Sequence, residues 1–335
     1  MTQPINLGII GAGLAVKQLH WPALRRLRDR YRFGAVADID LSRAQEIAAL
    51  VGAEHTCANY HELLALSEVE AVLLSLPIHL TAPIALDAAR AGKHLIIEKP
   101  LGSNLEQARQ LKEHLAHLPV TALVAENFRY RNDLAAARRL VHEGTLGDLL
   151  LVRLHALSYV DPTTPGSFAS TPWRHDSQYR GGPILDASVH HAAALRTVAG
   201  EVEWVQAFAK YGYSRLNGPT TISMNLRFRS GALGSYLYSV VCHDERSAFL
   251  DLTIYGSEAT LVLHDGEVRL LRREQPAETI PVEADDGGYY AEFLNFAAAL
   301  REDQPIVATV DEAYKDMELI LRALDSAEQA AVLLL

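Results

Sequence analysis

Short, mostly apolar runs at residues 5–10, 33–37, 71–76 and 94–97 alternate with segments whose apolar residues recur at helical spacing. A strand that is apolar at consecutive positions is buried on both faces, and such strands belong to parallel sheets covered by helices. Helices are expected over 14–30, over 42–51 capped by Ser42, over 61–66, over 81–91 closed by Gly92, and over 104–117. The alternation predicts an α/β fold whose first domain, residues 1–121, is a doubly wound parallel sheet of the Rossmann kind.

The pattern then changes. A strand at 120–125 and a helix at 132–143 are followed, from Leu149 onward, by alternation at period two. Ile222, Met224, Leu226 and Phe228 fall on one face, and Ser223, Asn225, Arg227 and Arg229 on the other. Gly231, Gly234, Gly256 and Gly266 punctuate further strands as hairpins require. Helices are expected at 183–198, 289–301 and 311–330. Residues 122–335 therefore read as an α+β domain with a large, mostly antiparallel open sheet, and only the change of pattern near 121 marks the boundary.

A chain of 335 residues is long enough for two cores. Its formal net charge of -10, with no basic run, argues against a nucleic-acid or anionic-membrane partner. Cys57 and Cys242 are distant and outside any CxxC, as free thiols in a reducing compartment would be. The first residues lead straight into a strand without a basic leader, and no apolar run approaches the ~18 residues of a membrane span. The expected location is the cytoplasm.

Gly11-Ala12-Gly13 lies between the first strand and the first helix, where glycines let backbone approach a pyrophosphate and a helix N-terminus offers free N–H donors. Val16 stands at the third glycine position, which loosens the helix–strand contact. Asp38 ends the second strand, placed to accept hydrogen bonds from a ribose diol. Its charge would repel a 2′-phosphate, which favours NAD, while nearby Arg43 leaves NADP open. Glu98-Lys99-Pro100 ends the strand at 94–97, at the edge where ligands of a parallel sheet sit. An amine there can donate a hydrogen bond or a proton to a substrate oxygen.

Asp186 and His190 are spaced i, i+4 and share one helix face, a carboxylate beside the usual general base. His191 points about 100° away and reads as structural. Trp173-Arg174 suits a sugar or a carboxylate as well as it suits domain packing. His175, Asp176, Asp186 and His190 have metal-ligand side chains but no HxH or HExxH pairing, so no metal is expected. Tyr211, Tyr213, Tyr236 and Tyr238 alternate and suggest a sheet face used for subunit contact.

Taken together, these pieces resemble the Gfo/Idh/MocA family of NAD(P)-dependent sugar and polyol oxidoreductases, over nearly the whole chain. The resemblance is carried by the glycine turn with His20-Trp21-Pro22-Ala23-Leu24, by Ala91-Gly92-Lys93-His94 through Glu98-Lys99-Pro100, and by Glu126-Asn127-Phe128-Arg129-Tyr130. It continues in Gly144-Thr145-Leu146-Gly147-Asp148, Trp173-Arg174, Gly181-Gly182 with Asp186 and His190, and Tyr255-Gly256-Ser257.

The resemblance implies Lys99, Asp186 and His190 as the catalytic set. His190 would take the hydroxyl proton, Lys99 would hold the same oxygen, and Asp186 would position sugar and imidazole. It implies a cofactor site at Gly11, Gly13, Leu14, Ala15, Asp38, Leu76, Pro77, His79, Glu98, Lys99 and Asn127. Arg129, Trp173 and Arg174 would join the catalytic residues at the substrate, and the Lys99–Pro100 bond is often cis in the family. The family's strand-four Thr-Pro-Asn-x-x-His appears as Leu76-Pro77-Ile78-His79-Leu80-Thr81, and an acidic position three beyond the histidine is Ala193. A homodimer or homotetramer through the open sheet is expected by the same analogy. Two competing readings are a non-catalytic NAD(P)-binding sensor, and an eliminase or epimerase that uses the nicotinamide transiently.

Overall fold

The computed structural model describes residues 3–175, 179–212, 216–243 and 250–335. By contact density the chain divides into two compact units, Met1–Asn127 with Asp286–Tyr314, and Phe128–Asp285 with Lys315–Leu335.

The first unit carries β1 (Ile5–Ile10), β2 (Tyr31–Ala37), β3 (His55–Cys57), β4 (Ala71–Leu74), β5 (His94–Glu98) and β6 (Ala122–Ala125). All pair in parallel, in the order β3-β2-β1-β4-β5-β6. Every residue of β1 and β4 is buried, the polar Asn6 included, as strands covered on both faces require. The order reverses between β1 and β4, and a ligand crevice opens beyond the carboxyl ends of strands at such a point. β6 hydrogen-bonds along β5, so the first sheet runs past residue 121.

The first helix is shorter than its sequence pattern. A π-turn at Val16–His20 runs into α1 (Trp21–Leu24), which ends six residues before Arg30. Pro22 has no N–H for the carbonyl four residues back, and its ring crowds that carbonyl, so the turn opens there. The cap of α2 (Leu41–Val51) is Asp40 in place of the expected Ser42: its carboxylate accepts from the Ser42 and Arg43 N–H groups, which a serine already inside the helix cannot do. α3 (Tyr60–Leu64) is capped by Asn59. α4 (Ile78–Arg90) closes as read: Gly92 is left-handed at φ +76°, Lys93 N–H reaches Ala88 O and Gly92 N–H reaches Ala89 O. That turn feeds β5 directly. α5 (Leu105–Leu115) follows, capped by Asn104.

The second unit begins with α6 (Asn132–His142), β7 (Leu149–Leu157) and α7 (Gly182–Ala199). Then come β8 (Val202–Lys210), β9 (Thr221–Phe228), β10 (Leu233–Ser239), β11 (Asp251–Gly256), β12 (Thr260–His264), β13 (Glu267–Leu271) and β14 (Glu278–Ile280). α8 (Tyr289–Arg301) returns to the first unit, where the Tyr31 hydroxyl donates to Phe293 O over 2.6 Å. Of α9 (Val310–Gln329), Lys315 onward belongs to the second unit, as does β15 (Leu333–Leu334).

The second sheet has the order β14-β13-β12-β11-β7-β10-β9-β8-β15, antiparallel except for the β7–β10 pair. The period-two reading of β9 holds, with Ile222, Met224, Leu226 and Phe228 buried and Ser223, Asn225 and Arg227 exposed. The tyrosine reading does not. Tyr236 and Tyr238 sit in register with the buried β9 positions Met224 and Ile222 and face the core, leaving Leu233 on the outer side. Tyr211 is exposed, and Tyr213 lies outside the described residues. The outer face also presents Leu151, Trp204 and Phe208.

Behind the sheet, Arg196 and Arg129 converge on Asp316, and all three side chains are almost fully buried. Arg196 also donates to both Glu201 oxygens at 2.9 Å, and Lys315 reaches the same carboxylate.

Candidate active site

At the end of β1, Gly11 N–H donates to Ala37 O over 2.8 Å and the residue turns at φ +95°. A Cβ there would lie 2.1 Å from Ser75 O, so only glycine fits. A Cβ on Gly13 would meet nothing within 4 Å, so the turn's outer side is open. The Ala12 N–H donates to Asp38 Oδ2 over 2.7 Å, and Asp38 Oδ1 accepts from Asp40 N–H over 2.9 Å. The Asp38 carboxylate is thus pinned beside the glycine turn by two backbone donors. Leu14 and Ala15 open the helix half-exposed, while Val16 is fully buried against the sheet.

Beyond β4, Leu76, Pro77 and His79 are half-buried. The substituted motif positions are packed away, Ile78 and Thr81 nearly inaccessible. His79 Nδ1 is buried and finds no hydrogen-bond partner among the described residues. An open glycine turn at a helix start, a fixed carboxylate at the next strand end and an unpartnered imidazole nitrogen across the switch point fit a dinucleotide. Those residues would hold its pyrophosphate, ribose and nicotinamide-side edge respectively.

At the end of β5, both oxygens of Glu98 are engaged: Oε1 lies 2.7 Å from His20 Nε2, and Oε2 accepts the Lys99 N–H over 3.1 Å. Lys99 is half-buried and its bond to Pro100 is cis. Asn127 is buried, and its side-chain amide donates to Gly287 O over 2.7 Å, bracing the entry to α8.

In the second unit, α7 is buried along most of its length. Over its first turns the accessible positions are Pro183, Asp186, Ala187 and His190, a single stripe at i, i+3, i+4 and i+7. Asp186 and His190 therefore share the open face. Arg174 Nε donates to Asp186 Oδ2 over 2.7 Å, and its other donors reach Thr171 Oγ1 and Phe168 O. The guanidinium also lies 4.1 Å above the Trp173 ring, which leans on Tyr179. His190 stacks on Phe128, ring centroids 5.0 Å apart.

Burial, reinforced by the Asp186 charge, pushes the Tyr179 and Tyr238 hydroxyls well above the usual range, so both stay protonated. His191 is a core residue, as its spacing implied. Its Nδ1 lies 2.9 Å from the Tyr236 hydroxyl, which donates to Ser188 Oγ. Arg129, expected at the substrate, is turned instead to Asp316 and Thr197. Ala193 is fully buried, so the missing acidic residue is replaced by packing. His175 bonds Ala169 O, and Asp176 lies outside the described residues.

Sequence reasoning missed the His20–Glu98 contact, the Arg174–Asp186 pair and the Phe128 platform. A histidine four residues after Val16, on the same helix face as that buried residue, was the available signal for the first. The other two join residues whose loop carries no periodicity.

A parallel sheet with a glycine turn, joined to an α+β unit presenting a carboxylate and an imidazole on one helix stripe, defines a dinucleotide-dependent oxidoreductase. Residues 5–126 match the model of the oxidoreductase family with NAD-binding Rossmann fold, and residues 134–262 match the Gfo/Idh/MocA C-terminal domain. An oxidoreductase from Thermotoga maritima has the same fold at a TM-score of 0.90 and 30% identity, covering 99% of this chain and 98% of its own. The scyllo-inositol 2-dehydrogenase (NADP(+)) of Bacillus subtilis is 25% identical, over 99% of this chain and 96% of that protein. The levoglucosan dehydrogenase of Pseudarthrobacter phenanthrenivorans is 26% identical, over 78% and 74%. The chain belongs to the Gfo/Idh/MocA family of oxidoreductases, and residues 5–126 match that family's NAD-binding domain.

Proposed function

We propose that this protein oxidises a secondary hydroxyl of a sugar, polyol or inositol-like substrate, or reduces the matching ketone, with Lys99, Asp186 and His190 as its catalytic set. The observation that carries the reading is the open stripe of α7, which has Asp186 and His190 on one accessible face while most of the helix is buried. Relatives named for levoglucosan and inositol support the substrate class. When bound, the nicotinamide supplies the hydride acceptor or donor.

His190 takes the hydroxyl proton as general base, its ring held flat on Phe128. Asp186, itself aimed by Arg174, holds the substrate hydroxyl and supports the imidazolium. Lys99 donates to the reacting oxygen and stabilises its developing charge. Trp173 offers an apolar ring face to the sugar. Arg129 is kept out of this set because its guanidinium serves Asp316. Asp38 favours NAD over NADP, since a carboxylate beside a 2′-phosphate is repulsive. The outer face of the second sheet, with Leu151, Phe208 and Leu233 exposed, supports a homodimer or homotetramer. Cys57 and Cys242, both free, fit a cytoplasmic location. No helix among the described residues is long and apolar enough to cross a membrane.

The test is nicotinamide absorbance with levoglucosan, myo-inositol and scyllo-inositol, each with NAD and NADP. Turnover faster with NAD is expected. Tight cofactor binding without turnover on any hydroxyl or ketone would favour a sensor, and product without net NADH an eliminase or epimerase.

A further inference from the structure

Behind Lys99 the first unit buries a set of ionisable side chains that the proposed chemistry does not use. Glu292, on α8, is fully buried, and neither of its carboxyl oxygens has a hydrogen-bond partner among the described residues. Its neighbours on the same helix, Tyr289 and Phe293, both meet the His20 ring edge-on, with centroids 6.2 and 5.5 Å away. His20 is fully buried too, with Nε2 on Glu98 and Nδ1 unpartnered among the described residues. Glu98 closes the series on the Lys99 N–H.

A buried carboxylate without donors is costly, and a second or third beside it is costlier still. The charged groups acting on Glu292 are Glu98 from β5, Glu126 after β6 and Asp286 ahead of α8, all of one sign. Glu98 accepts from the Lys99 N–H and lies against the His20 ring nitrogen, whereas Glu292 has no partner among the described residues, so a proton shared between the two carboxyls settles on Glu292.

We infer that His20, Glu98 and Glu292 form a buried positioning device for Lys99: Glu98 is its anion, clamped between the His20 ring nitrogen and the Lys99 backbone N–H, and Glu292 is carried as a neutral carboxylic acid. Burial first, then the Glu98, Glu126 and Asp286 charges, push the Glu292 carboxyl well above its ordinary range, in keeping with that assignment. His20 and Glu98 act through Lys99 and touch no reacting atom. The positioning role rests on the reading of Lys99 as catalytic; the protonation of Glu292 does not.

The experiment has a substrate-free arm and a kinetic arm. Infrared spectra of the full-length protein at about pH 7 should show the C=O stretch of a protonated carboxylic acid, absent from Glu292→Gln. Should that variant not fold, the wild-type band is followed with pH instead, and it should persist well above the ordinary carboxyl range. A spectrum without the band overturns the inference and leaves the dehydrogenase reading standing. In the kinetic arm, on whichever of levoglucosan, myo-inositol or scyllo-inositol is turned over, His20→Leu should lower kcat by about tenfold or more at unchanged cofactor KM. His20→Gln, whose amide can still donate to Glu98, should restore most of it. Equal losses in both variants, or a loss in KM alone, overturn the positioning role. No turnover by the wild type on any of the three counts against the proposed function, and against the positioning role with it, while the infrared result still decides the state of Glu292.

Discussion

The Arg174 guanidinium donates to Asp186 Oδ2 over 2.7 Å, binding a residue of the loop before α7 to the carboxylate on its accessible stripe. Each side chain is less than one-fifth exposed, so solvent screens the pair only partly. Arg174→Met should leave a partly buried carboxylate without its cation and cost about 1–3 kcal/mol in urea denaturation. Turnover should fall about tenfold, as a misaimed carboxylate implies. Arg174→Lys, which keeps the charge but loses the fork, should recover stability more than rate.

The glycine turn makes a sharper prediction. Gly11→Ala places a methyl 2.1 Å from Ser75 O at φ +95°, so the turn must move. Fluorescence titration should show NADH affinity falling at least about tenfold. Asp38→Ala should weaken NADH binding too, since it frees the Ala12 N–H as well as the ribose.

The start of α7 is equally constrained. Gly182 has φ +50°, and a Cβ there would lie 1.6 Å from Asn217 O. Gly182→Ala should cost more than the roughly 1–2 kcal/mol of the left-handed conformation alone, read by urea denaturation.

Acid stability should depend on Glu201. The Arg196 hydrogen bonds, with Lys315 adding to them, hold its carboxyl down at about 2, against 4.5 for the ordinary group. The folded value is depressed, so the contribution is complete above 4.5 and is lost as pH falls toward about 2. Glu201→Gln should flatten the pH dependence of unfolding over that window and change it little above. Glu292 works in the opposite sense. Its folded value is raised, so its contribution is complete below the unfolded value and is lost as pH rises toward the folded one.

Much of this was legible in the chain, for identifiable reasons. The mostly apolar β1 and the wholly apolar β4 left a parallel sheet as the natural reading, and alternation in β9 showed its buried face. Gly92 closes α4 because a local turn needs a left-handed residue, which sequence reports directly. Return of Asp286–Tyr314 to the first unit was invisible, because nothing local distinguishes α8 from the helices of the second. Tyr236 and Tyr238 were misread because alternation gives two faces without saying which is inner; the register against Met224 and Ile222 decides it. The bond from Arg129 to Asp316 was invisible for a similar reason, since the two lie 187 residues apart.

The most direct test of the central claim is the rate of nicotinamide reduction by His190→Ala and Lys99→Met on the best substrate of the polyol panel. Each should lose at least about a hundredfold in kcat while still binding NADH as the wild type does. Full turnover by both variants would contradict the assignment of an imidazole base and an amine donor to the reacting oxygen.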